Sequence, residues 1–175
     1  MQARSLFSPL TAQPFKLCLE REVFLSVLVW NDLPRVDLRI CRDGYPTKKG
    51  CILNASRWAV LMDHLDEFEK KMSEVQKGDN QIDFNIHLGG NLYAAVRSPY
   101  PILDIRLRFM HEGKLLHTTK GVTLRFQGLN NLRKNMQKVY DAIPREIPCF
   151  LKHQTADDET AALSCKECSP NTWQL

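Results

Sequence analysis

The sequence predicts an α+β protein built from two tandem ββββα units, with curved antiparallel sheets and packed helices. An internal repeat is the first observation that supports this fold, because residues 36–65 and 103–134 share an order of strand, hairpin, short strand and helix. Alternation of apolar and polar residues in the strand segments is the second. An apolar period of about 3.6 residues after each hairpin is the third. A chain of 175 residues has room for two such small units.

The two copies of the repeat share an Asp-x-Arg motif in a strand and a Lys-Gly pair after the hairpin. These residues are Asp37, Arg39, Lys49 and Gly50 in the first copy and Asp104, Arg106, Lys120 and Gly121 in the second. The offset between the copies grows by four residues from the first motif to the second. The difference falls at the hairpin tip, where insertions are tolerated, so duplication explains the pattern better than chance.

The first unit is predicted over residues 22–76. Strands are expected at residues 22–30, 36–42 and 50–53, with turns at residues 31–34 and at Asp43-Gly44. Asn54 or Ser56 can cap a helix that runs to about Met72. Residues 1–21 are expected to form an N-terminal arm, with an edge strand in residues 1–20 as the alternative.

The second unit is predicted over residues 81–147, after a linker at residues 77–80. Its strands are expected at residues 81–88, 91–97, 103–110 and 121–126, with turns at Gly89-Gly90 and Glu112-Gly113. A helix over residues 129–143 follows and ends before Pro144. Residues 148–175 are polar and are predicted to be a tail.

Positive charge concentrates on the strands and hairpins. Residues 35–49 carry a net charge of +3 and residues 97–125 a net charge of +4. If the helices cover the apolar face of each sheet, the other face remains basic, which suits a polyanion. Aromatic residues lie among these cations, as in proteins that stack the bases of single-stranded nucleic acid: Trp30, Tyr45, Tyr93, Tyr100 and Phe109. A solvated face, or a face that binds an acidic protein, is the alternative.

Several other functional classes are disfavoured. The longest apolar run, residues 23–30, is broken by Ser26, so no membrane span is expected. No signal-peptide h-region is visible, and six cysteines are too few for a disulfide scaffold. Motifs for phosphate-binding loops, serine hydrolases and zinc proteases are missing, and Asp37 and Asp104 are expected in salt bridges with neighbouring arginines. We therefore expect neither an enzyme nor a cofactor.

The polar tail contains one metal-like pattern. Cys149, His153, Cys165 and Cys168 form a C-x3-H-x11-C-x2-C series, a ligand set that suits tetrahedral zinc. The segment has few apolar residues to pack around a metal, so we expect unligated thiols and keep zinc as the alternative.

Residues 36–58 resemble the single-stranded DNA-binding domain of the transcriptional coactivator called positive cofactor four. The matching residues of the first copy are Asp37, Arg39, Gly44, Pro46, Lys48, Lys49, Gly50, Leu53 and Trp58. The second copy keeps Asp104, Ile105, Arg106, Gly113, Lys120, Gly121 and Leu124, and has no helix Trp. Two such units in one chain also resemble the plant Whirly proteins.

This resemblance implies an intrachain pseudo-dimer that binds single-stranded DNA without strong sequence preference. It implies a nuclear location and a role in transcription or replication. Proteins of those processes are the expected partners, and further self-association is an option. The coactivator role is less supported, because the family's Ser- and Lys-rich arm is missing from residues 1–20. Single-stranded RNA is the alternative ligand, since stacking and phosphate pairing distinguish the two sugars poorly.

The resemblance makes Arg39 and Arg106 the DNA-contacting arginines, with basic partners at Lys48, Lys49 and Lys120. It places Phe109 at a stacking position, where the first copy has Arg42. Simple alternation would put Phe109 on the apolar face, so its stacking requires a bulge or a bend in the strand. Together with the charge pattern this gives the predicted nucleic-acid-binding set: Arg35, Arg39, Arg42, Tyr45, Lys48, Lys49, Arg106, Arg108, Phe109, Lys114 and Lys120.

Overall fold

The computed structural model describes residues 15–143, together with His153, Cys165, Glu167 and Cys168. Within residues 15–143 the chain is α+β, with two four-stranded antiparallel sheets and helices after each sheet. The first sheet contains β1 (Phe15–Glu20), β2 (Val23–Trp30), β3 (Leu33–Arg42) and β4 (Tyr45–Leu53), and is followed by α1 (Ala55–Asp63) and α2 (Leu65–Gln76). The second sheet contains β5 (Asp83–Gly89), β6 (Leu92–Arg97), β7 (Tyr100–His111) and β8 (Lys114–Leu124), and is followed by α3 (Phe126–Ala142).

Each sheet is a meander in which every strand pairs with the next strand along the chain. Residues 1–21 were predicted to form an arm, with an edge strand as the alternative. In the described part of this segment β1 is an edge strand, because it pairs with β2. β4 and β8 start directly after the hairpin turns and not at Gly50 and Gly121. Both turns, Asp43-Gly44 and Glu112-Gly113, are two residues long and have positive φ. In such tight turns the residues next to the turn already pair with each other.

The helix predicted over residues 55–72 is divided into α1 and α2 at His64. Its start is as predicted, because the Asn54 side chain accepts a hydrogen bond from the Arg57 N–H at 2.8 Å. A ring nitrogen of His64 lies 2.8 Å from the Val60 carbonyl oxygen, next to the break. None of the helices among the described residues has the length and apolar composition that crossing a bilayer requires.

One apolar core joins both sheets and all three helices of the described region. α2 packs on β6 and β7 of the second sheet, whereas α3 packs on β1 and β2 of the first. The helices therefore cover the sheet of the opposite unit. Trp58 of α1 is fully buried and meets Tyr140 of α3 edge to face, with ring centroids 6.4 Å apart. Arg133 of α3 pairs with Asp66 and Glu69 of α2, at 2.7 Å and 2.8 Å.

The N-terminus of α3 is capped by the first sheet. The buried carboxylate of Glu20 accepts hydrogen bonds from the backbone N–H groups of Arg125, at 3.0 Å, and Gly128, at 3.1 Å. A negative charge at this position satisfies N–H groups that would otherwise lack partners and interacts favourably with the helix dipole. This cap links the two units through one side chain.

Substituting Glu20→Ala should lower the free energy of unfolding by about 1–2 kcal/mol, because α3 would lose its cap. Urea denaturation followed by far-UV circular dichroism measures the loss. Glu22→Ala is the matched control, since that carboxylate is exposed and lies 3.6 Å from the exposed Arg42 side chain. Equal losses in the two variants would contradict the capping role.

Candidate nucleic-acid interface

An arginine held by the same hydrogen bonds occurs once in each sheet. In β3, Arg39 donates to Asp37, from Nε to Oδ2 at 2.8 Å and from Nη2 to Oδ1 at 2.9 Å. Its Nη1 donates to the Thr47 carbonyl oxygen of β4 at 2.9 Å. The Thr47 hydroxyl in turn donates to the Ile40 carbonyl oxygen at 2.7 Å. Each arginine of this kind therefore ties two neighbouring strands together.

The second sheet repeats this network atom for atom. Arg106 donates to Asp104, with Nη2 at 2.9 Å from Oδ1, and its Nη1 donates to the Thr118 carbonyl oxygen at 2.8 Å. The Thr118 hydroxyl donates to the Leu107 carbonyl oxygen at 2.7 Å. The expectation of strand salt bridges at both aspartates is confirmed. The two threonines were missed, although each stands three residues before the glycine of its repeat, which is a signal that a longer comparison of the copies would have found.

These networks give the two arginines a structural role. Their side chains are 22% and 21% exposed, and each guanidinium already has a carboxylate and a carbonyl oxygen as partners. Hydrogen bonding to Asp37 raises the pKa of Arg39, so this charge is fixed. Arg39 and Arg106 thus present charge that is largely compensated, and any net positive field must come from other residues.

A β-bulge follows each arginine, opposite a glycine. The pairing register shifts between Arg39 and Cys41 and again between Arg106 and Arg108. A Cβ atom on Gly50 would lie 2.6 Å from the Leu38 carbonyl oxygen, and one on Gly121 would lie 2.5 Å from the Ile105 carbonyl oxygen. Close approach of two backbones therefore explains the glycine of each Lys-Gly pair, since a side chain would not fit there.

The two networks meet where the sheets adjoin. β4 packs against β8, and the buried Cys51 thiol of β4 lies 3.9 Å from the Ile105 carbonyl oxygen of β7. Burial raises the pKa of Cys51 to about 12; of the two Asp-Arg pairs, the aspartates raise this pKa and the arginines lower it. Cys51 therefore lies between the two arginine networks, and the strands that carry the hairpin lysines are neighbours.

Four of the predicted cations are exposed lysines on the hairpins, namely Lys48, Lys49, Lys114 and Lys120. Among the residues that the structure describes, none of these lysines takes part in an ion pair. Arg35 is half-buried near the β2–β3 end of the first sheet, away from the other predicted residues. Arg42 is exposed at the β3–β4 turn, where the Glu22 carboxylate partly compensates its charge. Uncompensated positive charge thus lies on the exposed surface of β4 and β8.

Exposed aromatic rings lie on the same two hairpins. Tyr45, at the start of β4, is 76% exposed. Phe109 of β7 is 37% exposed and pairs with Leu116 of β8. The pairing register of β7 with β8 shifts between Arg106 and Arg108, just before Phe109. Each hairpin therefore combines lysines with one accessible ring.

Arg108 was predicted to contact nucleic acid at the surface. This prediction is wrong, because the residue is only 1% exposed. Its Nη1 donates to Asn85 Oδ1 at 2.9 Å, and its guanidinium lies over the Tyr93 ring, 5.3 Å from the centroid. No described residue accepts a hydrogen bond from its Nε or Nη2. Burial lowers the pKa of Arg108, with a further contribution from Arg97. The first copy has Cys41 at this position, so the two sheets differ here.

Two further basic residues lie beside Arg108 and were missed as site residues. Arg97 Nη1 lies 3.1 Å from His117 Nε2, and its Nε donates to Asp83 at 2.7 Å. Partial burial, Arg108 and Arg97 all lower the pKa of His117. His117 pairs with Arg108 in the sheet register, which depends on the bulge. Sequence alternation gives no access to such a register, so no signal pointed to this cluster.

Part of the predicted zinc motif lies among the described residues. Ligand atoms of His153, Cys165 and Cys168 lie within 4.8 Å of one another. The fourth residue of the motif, Cys149, lies outside the described residues.

No protein-family model matches the chain, and no curated protein shows significant similarity to it. The resemblance to the positive cofactor four and Whirly families therefore stays a prediction.

Proposed function

We propose that this protein binds single-stranded nucleic acid, DNA in preference to RNA, across the hairpins β3–β4 and β7–β8. One observation carries the proposal: each hairpin has both exposed lysines and an exposed aromatic ring. Among the described residues, none of these lysines forms an ion pair. A basic surface with accessible rings suits single strands, whose unpaired bases can stack. The process served is transcription or replication in the nucleus.

Lys48, Lys49 and Lys120 pair with phosphates in this mechanism, and Lys114 adds to the field at the tip of the second hairpin. Tyr45 and Phe109 offer faces for stacking, worth roughly 1–3 kcal/mol per base. Arg39 and Arg106 act mainly by holding the strands in place. Alanine at these arginines would leave two carboxylates without partners, so the lysines give a cleaner test of binding.

The two units act as an intrachain pseudo-dimer in this proposal. Its support is the repeated Asp-Arg-Thr network and the packing of α2 and α3 on the sheet of the opposite unit. Strand curvature at the bulges that follow Arg39 and Arg106 would form a continuous basic channel across β4 and β8.

The second unit contributes an additional phosphate site at Arg97 and His117, next to the buried charge of Arg108. Asp83 and Asp104 are the carboxylates nearby, and each already accepts hydrogen bonds from an arginine. Partial burial lowers the pKa of His117, and repulsion from Arg108 and Arg97 lowers it further. A phosphate beside His117 would offset this repulsion.

Binding should therefore strengthen as the pH falls from about 7.5 to 6, because the bound phosphate raises the pKa of His117 and the complex takes up a proton. Fluorescence anisotropy at constant ionic strength measures this dependence. His117→Asn should flatten the profile between these pH values. His111→Asn is the matched control, since His111 is exposed near the hairpin tip and lies 3.9 Å from Glu112. A profile that is equally steep in both variants would rule out this phosphate site.

The proposed function is tested with a labelled strand of about 30 nucleotides, presented as single-stranded DNA, as the duplex and as RNA of the same sequence. We expect the single-stranded DNA to bind at least about tenfold more tightly than the duplex, because paired bases cannot stack on the aromatic rings of the protein. Preference for RNA would favour the alternative ligand. Equal affinity for duplex and single strand, or no binding at low salt, would overturn the proposal and leave an acidic protein as the partner of the basic surface.

A further inference from the structure

A cluster of one imidazole and two thiols lies at the C-terminal end of the described chain. One ligand atom from each of His153, Cys165 and Cys168 lies within 4.8 Å of the other two, and all three residues are half-buried. In a tetrahedral zinc site the ligand atoms are about 3.3–3.8 Å apart, given Zn–S and Zn–N distances of about 2.3 Å and 2.0 Å. Closure around an ion therefore requires a contraction of at most about 1–1.5 Å.

The residues and their spacing favour zinc among the biological metals. Thiolate and imidazole are the ligands that zinc prefers, whereas calcium and magnesium take oxygen ligands. The two cysteines form a C-x2-C pair, and the sequence supplies Cys149 four residues before His153 as a fourth ligand. Cys149 lies outside the described residues, so its part rests on the spacing alone.

The loop between the two cysteines is attached to both units of the fold. The Glu167 carboxylate accepts hydrogen bonds from Arg57 of α1, from Nε at 2.9 Å and also from Nη2. The Glu167 carbonyl oxygen accepts a hydrogen bond from the Gly90 N–H, in the turn between β5 and β6, at 3.0 Å. Cys168 also lines a cavity of about 140 Å³ with Ser56 and His87. The cysteine loop thus has a fixed place between α1 and the β5–β6 hairpin.

We propose that the C-terminal segment binds one structural zinc ion through His153, Cys165 and Cys168. Binding releases the thiol protons, because thiolates are the ligands. The ion holds the cysteine loop in the conformation that presents Glu167 to Arg57 and Gly90. Zinc therefore links α1 of the first unit to the second sheet, at a point where apolar packing would otherwise have to make the link. This proposal is independent of the nucleic-acid function.

The first test measures metal content of the full chain, purified under reducing conditions, loaded with zinc and freed of excess metal. We expect one zinc ion per chain in the native protein and in the control variant Cys18→Ser, whose thiol is exposed in β1 and hydrogen-bonded to the Arg21 carbonyl oxygen at 3.3 Å. Cys165→Ser and Cys168→Ser should lose the ion. Circular dichroism shows whether these variants fold, which we expect because residues 15–143 contain the core.

Cobalt substitution tests the ligand set. The intense visible absorption of tetrahedral thiolate-bound cobalt is expected in the native chain, and it should be lost or strongly reduced in Cys168→Ser. An unchanged spectrum in Cys168→Ser would overturn ligation by this thiolate. Zinc content equal in the native and Cys165→Ser proteins, or no metal retained by the reduced native protein, would overturn the site itself.

Arg57→Ala tests the structural link and leaves the ligands in place. In the native protein, chelation of zinc should lower the melting temperature, since a ligand of the folded state stabilises that state. In Arg57→Ala the ion should still bind, but chelation should shift the melting temperature much less. Equal shifts in both proteins would contradict the attachment of the loop through Glu167.

Discussion

Gly121→Val should destabilise the fold by about 3 kcal/mol, a larger loss than the one expected from removing the Glu20 cap of α3. Valine normally favours a β-strand over glycine, so strand propensity alone predicts the opposite sign. The Cβ atom would lie 2.5 Å from the Ile105 carbonyl oxygen and 2.8 Å from the Arg106 Cα atom. These are backbone atoms of the neighbouring strand, so relief requires that β7 and β8 separate and that the bulge beside Arg106 be lost.

Chemical denaturation of Gly121→Val measures this effect, and Gly50→Val should reproduce it in the first sheet. Thr123→Val is the matched control, because Thr123 is exposed two residues further along β8 and valine has nearly the same shape. We expect a change within about 0.5 kcal/mol for the control. A neutral or stabilising effect of Gly121→Val would show that the two strands do not approach as closely as described.

The second large effect concerns binding. The triple variant Lys48→Ala, Lys49→Ala and Lys120→Ala should bind single-stranded DNA about 100-fold more weakly at moderate salt, if each phosphate contact contributes on the order of 1 kcal/mol. Its stability should stay nearly unchanged, because the three side chains are exposed and have no described ion-pair partner.

A control variant with the same change in net charge separates local contacts from long-range attraction. Lys70→Ala, Lys77→Ala and Lys134→Ala remove three exposed lysines on or next to the helices. We expect this control to lose less than about fivefold in affinity, because its lysines lie outside the two hairpins and salt weakens the attraction of exposed charges that make no direct contact. Equal losses in the two variants would mean that net charge alone attracts the nucleic acid.

The sequence predicted the fold class well because its signals are local. Alternation in the strands, tight turns at Asp43-Gly44 and Glu112-Gly113, and the cap at Asn54 each depend on a few neighbouring residues. The duplication added a check, since each copy supports the assignment of the other. The division of the first helix at His64 was missed, because the apolar period continues through the break.

Features that depend on register or on contacts between units were not predicted. Glu20 caps α3 from more than a hundred residues away, and nothing in its own segment indicates this role. Arg108 was expected on the surface because simple alternation groups it with Arg106. Arg108 does share a face with Arg106, since Tyr93 pairs with Arg106 across the sheet, but Tyr93 and Asn85 bury its side chain there.

The salt dependence of binding tests the central claim most directly, namely that hairpin lysines pair with the phosphates of a single strand. Anisotropy titrations of one single-stranded DNA across a salt series give the slope of log affinity against log salt for the native protein and both triple variants. Each phosphate contact on a single strand contributes about 0.7 to this slope, so the hairpin variant should lose about 2 and the helix variant almost nothing. A slope that is unchanged in the hairpin variant would contradict the account.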